Sequence, residues 1–258
     1  MTDTIKSKFD LSGKVAIITG SSKGIGKAIA QGLAENGAKV VISSRKQEAV
    51  DKVAREFREA GLEAVGYQCH IGDPEQRKSL IAKTIEHYGR IDILVNNAAI
   101  NPYYGPLEDS EEAVFDKIMS VNVKAPWILS NLALPHMKEN GGSIINISSV
   151  EGLTPGFGLG LYSATKAALI MLTKNQAKEW GRYGVRANVL CPGLIKTKFS
   201  EGLWTNDKLV AGFTKAIPLG RIATPEEMAG VVMLLASDAG SYMTGGVYVA
   251  DGGYLISG

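Results

Sequence analysis

The chain is short of the residues that build metal centres, disulfide frameworks or membrane spans. Its 258 residues hold two cysteines and three histidines. Cys69 and Cys191 form neither a CxxC pair nor a framework, which excludes a disulfide-stapled fold and fits a reducing compartment. His70, His87 and His136 lack metal-ligand spacing, and Cys69 beside His70 is too small a cluster, so no catalytic metal is expected. No apolar run approaches the ~20 residues of a spanning helix. MTDTIKSKFDLSGKV lacks the apolar core of a secretory leader, and GGYLISG carries no obvious address, so the cytoplasm is the expected compartment. The net charge of +2 gives no general reason to expect nucleic acid or a membrane surface as partner. Any anion site must be local.

What is present is a regular alternation. KVAIIT, KVVIS, DILVN, SIINIS and ANVLC are nearly continuous apolar runs, with AVGYQC and GVYVA as shorter candidates. Continuous rather than alternating apolarity suits strands covered on both faces. Between them lie helical patterns. Ile25, Ile29 and Leu33 keep one face and Gly37 can end that helix; the charged segment from Gln47 stops at Gly61. Pro74 opens another helix, with Leu80, Ile81, Thr84, Ile85 and Tyr88 as its inner stripe, and Pro225 opens an apolar one late in the chain. The alternation predicts one α/β domain over residues 1–258, a Rossmann-like doubly wound parallel sheet with helices on both faces.

TGSSKGIG, Thr19 to Gly26, joins the first strand to the first helix. Gly20 permits a tight turn, Gly24 the close approach of a ligand, and Gly26 close packing of helix on sheet. The helix N-terminus then offers N–H groups and a positive dipole end to a phosphate. A glycine turn alone is a weak signal. Its place after a first buried strand, with a second strand about 20 residues on, favours a nucleotide over a plain loop.

The Gly-x3-Gly-x-Gly spacing resembles the short-chain dehydrogenase/reductase family. Further stretches match in order: NNAA from Asn96, Asn122, Ser149, YSATK from Tyr162, and PGLIKT from Pro192. SSRK, NVKAP and PGLIKT look most like its NADPH-dependent carbonyl reductase/retinol dehydrogenase branch. The resemblance spans nearly the whole chain and implies an oxidoreductase that moves a hydride between NADP(H) and a carbonyl or secondary alcohol.

Tyr162 and Lys166 are four apart on a helix, hence on one face. A tyrosine near its ordinary pKa of ~10 is a poor acid or base at neutrality, and a nearby ammonium is expected to lower it. Such a pair alone is more often a surface coincidence; the surrounding set reverses that. By resemblance, Ser149 holds the substrate oxygen, with Ser148 the weaker candidate. Tyr162 moves the proton, Lys166 tunes Tyr162 and binds ribose, and Asn122 supports a water relay to Lys166. Read from residues alone, Asn122 is a helix cap. No histidine base accompanies the serines, so a serine hydrolase is rejected. The cofactor residues implied are Gly20, Ser22, Lys23, Gly24, Ile25, Gly26, Ser44, Arg45, His70, Ile71, Asn97, Ala98, Tyr162, Lys166, Pro192, Gly193, Ile195 and Thr197.

An NAD-type site usually offers an acid to the adenosine ribose at the end of the second strand. Ser43-Ser44-Arg45-Lys46 contains none, whereas Arg45 suits a 2′-phosphate and Lys23 is a second cation for it. NADP(H) is therefore favoured. His70 stands where relatives often place an aspartate toward adenine, and a lone histidine there is more often a turn residue. Phe157, Leu159, Leu161, Tyr103 and Tyr104 are candidate walls for a hydrophobic ketone or aldehyde, with Phe199, Leu203 and Trp204 in a lid over residues 197–215. Glu151, an unusual charge so close to Ser149, is read as facing water. The late apolar helix and the VYVADGGYLI tail resemble surfaces that assemble homotetramers or homodimers. Two alternatives stay open: an NAD-using alcohol dehydrogenase working in oxidation, and a non-catalytic dinucleotide sensor.

Overall fold

Seven apolar runs become seven parallel strands in one sheet, ordered β3-β2-β1-β4-β5-β6-β7. They are β1 Val15–Thr19, β2 Lys39–Ser44, β3 Ala64–Gln68, β4 Ile93–Asn96, β5 Gly142–Ile147, β6 Val185–Pro192 and β7 Val247–Ala250. The computed structural model describes residues 4–257. The pleat sends neighbouring side chains to opposite faces. Ile18 joins Ile29, Leu33, Val53, Phe57, Met228 and Val232. Ile17 joins Leu80, Ile81, Leu129, Ala133, Ala177 and Trp180 on the other face. Both faces are thus covered, which is why the strands read as continuous rather than alternating runs.

The first layer holds α1 Gly24–Glu35, α2 Gln47–Glu59 and α9 Glu226–Ala236. The second holds α3 Pro74–Tyr88, α5 Ala125–Met137 and α6 Gly160–Trp180. Each fully buried leucine or isoleucine in these layers contributes about 1.5–3 kcal/mol. Local signals set the ends. The Asp73 carboxylate accepts from the Glu75 and Gln76 N–H groups at 2.9 and 3.2 Å, and Pro74 follows at the first helical position of α3. Gly89, at φ +77°, closes the same helix in the left-handed region.

α4 Glu112–Met119 runs into α5, which has Pro126 in its first turn, through a π-turn over Ser120–Lys124. The wider turn carries Asn122, whose side chain is committed elsewhere. The late helix α9 is more internal than expected for an assembly surface. Met228, Val232 and Leu235 are buried, and its Ala229 faces Gly32 of α1.

The strand order reverses between β1 and β4, the point at which open sheets of this kind leave a crevice outside their carboxyl ends. Register places Thr19 beside Ser43 and Asn96 beside Asn146. The ends of β1, β2, β4 and β5 therefore open on one rim.

Candidate active site

The glycine turn is shaped by contacts that tolerate no side chain. Gly20 has φ +67°, and a Cβ there would lie 2.9 Å from Asn97 Nδ2; one on Gly26 would lie 2.5 Å from the same atom. Asn97 in turn donates from Nδ2 to the carbonyls of Thr19 and Gly20, at 2.9 and 3.2 Å. Thr19 Oγ1 accepts from the N–H groups of Asn97 and Ala98 at 3.0 and 3.1 Å. The turn after β1 and the loop after β4 are thus locked together. A Cβ on Gly24 would meet Thr197 Cγ2 at 3.4 Å, so the loop after β6 closes on the same turn.

The SSRK stretch divides into two parts. Ser43 is buried and its N–H donates to Ser21 Oγ at 2.9 Å, while its own hydroxyl has no partner. Ser44 is half-buried; Arg45 and Lys46 are exposed, as is Lys23 across the turn. Lys46 is the N-cap position of α2. Lys27, one turn into α1, is paired with Glu56 at 2.6 Å, and neither Lys23 nor Arg45 has such a carboxylate among the described residues.

At the end of β3, His70 behaves as a turn residue. Its Nδ1 accepts from the Gly72 N–H at 3.2 Å, its N–H donates to Gln76, and its carbonyl accepts from Asp73. The Ile71 side chain is buried in the core. Its carbonyl accepts from the buried Arg77 guanidinium, so only the backbone of Ile71 is available to a ligand.

Asn122, Ser149, Tyr162 and Lys166 converge at the ends of β4 and β5. The side chain of Asn122 pairs with the Ile100 backbone in both directions at 2.9 Å and donates to Thr165 Oγ1 at 3.1 Å. Thr165 Oγ1 donates to the Tyr162 carbonyl at 2.7 Å. This bracket, not a helix cap, is what Asn122 makes. Ser149 follows β5, and its hydroxyl accepts from the Glu151 N–H at 3.2 Å. Ser148 is spent on the Lys166 carbonyl at 2.9 Å, which separates the two serines. Lys166, 2% exposed, donates from Nζ to the Ile147 carbonyl at 2.8 Å, and Nζ lies 5.4 Å from the Tyr162 ring centre.

The electrostatics reverse one expectation. Burial pushes the Tyr162 phenol well above its ordinary range; the Ser149 hydroxyl opposes this, and Glu151 and Cys191 add to it. Burial also brings Lys166 down to about 8. Desolvation disfavours charge on both partners, and at Tyr162 burial is the larger effect. Around neutrality the phenol keeps its proton.

Residues 20–255 match the family described as Enoyl-(Acyl carrier protein) reductase. "Dehydrogenase/reductase SDR family member 4" of Oryctolagus cuniculus is 45% identical over 244 residues, covering 94% of each chain. The gluconate 5-dehydrogenase of Burkholderia cenocepacia J2315, solved with NADP and tartrate, superposes with a TM-score of 0.93. It is 35% identical, and the match covers 97% of this chain and 98% of that one. A 7α-hydroxysteroid dehydrogenase solved with NADH and 7-oxo glycochenodeoxycholic acid also gives 0.93, at 31% identity over 98% of each. The chain belongs to the short-chain dehydrogenase/reductase family. It is an oxidoreductase with a dinucleotide cofactor.

The residues of this short-chain dehydrogenase/reductase fit that cofactor. The glycine turn has no Cβ in the way, the first turn of α1 points N–H groups out of the sheet end, and two cations stand beside it without partners. At the end of β6, Pro192 is buried, and Gly193 packs on Asp251, where a Cβ would lie 2.8 Å away. Ile195 is buried, while Thr197 is half-buried and shares a hydrogen bond with Ser200. Trp204, in the short helix α7 Glu201–Trp204, donates from its indole to the Thr197 carbonyl at 2.7 Å.

The expected walls are exposed or half-buried side chains, and Phe199 meets Tyr162. Phe199 stacks obliquely on Tyr162 with ring centres 6.2 Å apart. Phe157, Tyr104 and Phe199 are 84, 66 and 59% exposed. Leu159, Leu161, Leu203 and Tyr103 are half-buried, and the Tyr103 hydroxyl is spent on the Pro106 carbonyl. Glu151 does not simply face water: its carboxylate binds two groups of the neighbouring loop and helix. Sequence reasoning missed Thr19, Thr165 and Ser200, whose hydroxyls knit the loops; nothing in their local spacing marks them. Among the described residues no three His, Cys, Asp or Glu side chains cluster as a metal would require.

Proposed function

We propose that this oxidoreductase uses NADP(H) to interconvert a hydrophobic ketone or aldehyde and its alcohol, as a carbonyl reductase. The observation that carries the reading is the convergence of Ser149, Tyr162 and Lys166 on the rim that also bears unpaired Lys23 and Arg45. Gly20, Ser22, Gly24, Ile25 and Gly26 would cradle the pyrophosphate, with Lys23, Ser44 and Arg45 on the 2′-phosphate. His70 and Ile71 would stand at the adenine, and Asn97, Ala98, Pro192, Gly193, Ile195 and Thr197 toward the nicotinamide. When bound, the cofactor supplies a hydride for reduction and accepts one for oxidation.

Ser149 donates a hydrogen bond to the substrate oxygen and orients the carbonyl. Tyr162 then gives its phenolic proton to that oxygen as negative charge develops there. Burial keeps the phenol protonated around neutrality, so the proton is in place and moves only as charge develops on the substrate oxygen. Lys166 stabilises the phenolate that results, because a proton moving off the phenol makes an ammonium beside it favourable. Asn122 holds the bracket beneath the tyrosine and stands on the route by which water returns a proton. Phe157, Tyr104 and Phe199 shield the reacting carbonyl and favour an apolar substrate. Residues 197–215, which span α7 and all but the last residue of α8 Asp207–Ala216, act as a lid.

The relative solved with NADP supports this cofactor; the one solved with NADH supports the competing reading of an NAD-using alcohol dehydrogenase. Initial rates with NADPH and NADH over a panel of aromatic and aliphatic carbonyls separate them. Reduction preferring NADPH is expected, and oxidation confined to NAD would overturn the reading. We further propose that the enzyme works in the cytoplasm, where its two buried thiols remain reduced. It self-associates as a homotetramer or homodimer through the C-terminal surface that exposes Tyr242, Val249 and Ile256.

A further inference from the structure

The Glu151 carboxylate acts on Tyr162 through its charge, and the proposed chemistry gives it no role. It sits on the turn Val150–Gly152 after β5. Its Oε2 accepts from the Gly156 N–H at 2.7 Å and from the Ser163 hydroxyl at 2.9 Å. Gly156 belongs to the loop that carries Phe157, and Ser163 is the neighbour of Tyr162. One oxygen therefore joins the β5 turn, the substrate-side loop and the first turn of α6. A Cβ on residue 156 would lie 2.6 and 2.7 Å from the two carboxylate oxygens, so only glycine allows this approach.

We propose that Glu151 is a positioning residue for the reaction, fixing the loop Leu153–Leu159 as one wall of the substrate cleft and setting the field in which Tyr162 gives up its proton. The inference rests on the proposed carbonyl chemistry for its second half and on geometry alone for its first. The far side of the loop is already held: the Gly158 carbonyl accepts from the Gly105 N–H at 3.0 Å, and Tyr104 packs over Gly158. Glu151 supplies the near side. Without it, the stretch that carries Leu153 and Phe157 loses its anchor at Gly156.

The charge has its own effect. The groups that face the phenol are the Ser149 hydroxyl and Glu151 from the β5 end, the Cys191 thiol from β6, and Lys166 from α6. Glu151 is the carboxylate among them, and burial lifts the Cys191 thiol to about 11. An anion makes the phenolate less favourable. Removing it lowers the pH at which Tyr162 ionises, so oxidation, which needs the phenolate, gains at lower pH. Reduction, which needs the phenol, fails at lower pH.

Three variants separate anchor from charge. Glu151→Gln keeps a carbonyl oxygen able to accept both bonds and removes only the charge. Glu151→Ala removes both. Gly156→Ala keeps the charge and displaces the anchor. Backbone hydrogen exchange of the unliganded protein reads the anchor without any turnover. Protection over residues 153–160 is expected to fall about 10-fold or more in Glu151→Ala and Gly156→Ala, and to hold in Glu151→Gln. Unchanged protection in Glu151→Ala overturns the anchor. Kinetics with NADPH and acetophenone, and in reverse with 1-phenylethanol, read the reaction. KM for acetophenone is expected to rise about 5- to 10-fold in the two alanine variants with the KM for NADPH unchanged. Both pH limbs are expected to move down by about half a unit in Glu151→Gln. Parent-like KM values and pH limbs overturn the positioning role. Tyr162→Phe, run alongside, reports on the carbonyl chemistry itself. A parent protein that fails to turn over these probes counts against that chemistry, while the exchange data still decide the anchor.

Discussion

Arg45 and Lys23 are two exposed cations with no carboxylate partner at the rim where α1 begins, and cofactor choice rests on them. Each charge-assisted bond to a phosphate contributes about 1.5–3 kcal/mol. Replacing Arg45 by Asp and Lys23 by Ala is expected to lower the NADPH-to-NADH ratio of kcat/KM by about 100-fold or more. Steady-state rates with both cofactors read it directly, and an unchanged ratio contradicts the assignment. These residues were legible because a missing acid and two cations are statements about residue type. The titration of Tyr162 was not. Its four-residue spacing from Lys166 put the two side chains on one helix face, yet the sign of the shift came from burial, which spacing does not report.

Lys166 offers a second test at this scale. Its folded pKa of about 8 lies below the ~10.4 of an unfolded chain. Between these values the unfolded chain holds a proton that the fold does not, so stability rises with pH across that window. Below it both states are protonated and the penalty is constant, at most about 3 kcal/mol. Lys166→Met is therefore expected to stabilise the unliganded protein at pH 7 and to give little or no gain near pH 10.5. Urea midpoints at the two pH values check the direction. A gain that is equal at both, or a loss at pH 7, contradicts the burial argument.

At the level of elements, the seven strands were readable because strands covered on both faces are written as unbroken apolar runs. Helix starts at Pro74 and Gly24 were readable from proline and glycine. The π-turn at Ser120–Lys124 was not, since its cause is the pairing of Asn122 with Ile100, 22 residues back. The joint between α1 and the loop after β4 is sensitive to size. Gly26→Ala pushes a methyl to within 2.5 Å of Asn97 Nδ2 and 2.6 Å of the Gly20 carbonyl. It is expected to cost about 1–3 kcal/mol of stability and to weaken NADPH binding about 10-fold or more by shifting the turn. Thermal unfolding together with nucleotide fluorescence titration measures both. Parent-like binding contradicts the role given to this joint.

Across the whole molecule, the reversal of strand order between β1 and β4 brings the glycine turn, Tyr162 and Lys166 to one rim. The residues concerned are scattered from Gly20 to Lys166. The fold class followed from alternation alone, and the four-residue set from resemblance. The loop anchor at Glu151 needed coordinates, because its partners are Gly156 and Ser163 and neither type announces a role. Self-association belongs to this scale. Val249→Asp with Ile256→Asp is expected to lower the mass seen by sedimentation while leaving the circular dichroism unchanged, and an unchanged mass contradicts the C-terminal surface. The central claim, that Tyr162 carries the proton for a hydride transfer, is tested most directly by NADPH consumption at 340 nm with a carbonyl substrate in Tyr162→Phe. Loss of general acid catalysis predicts a fall of about 100- to 10,000-fold in kcat with NADPH affinity retained; turnover close to that of the parent would contradict it.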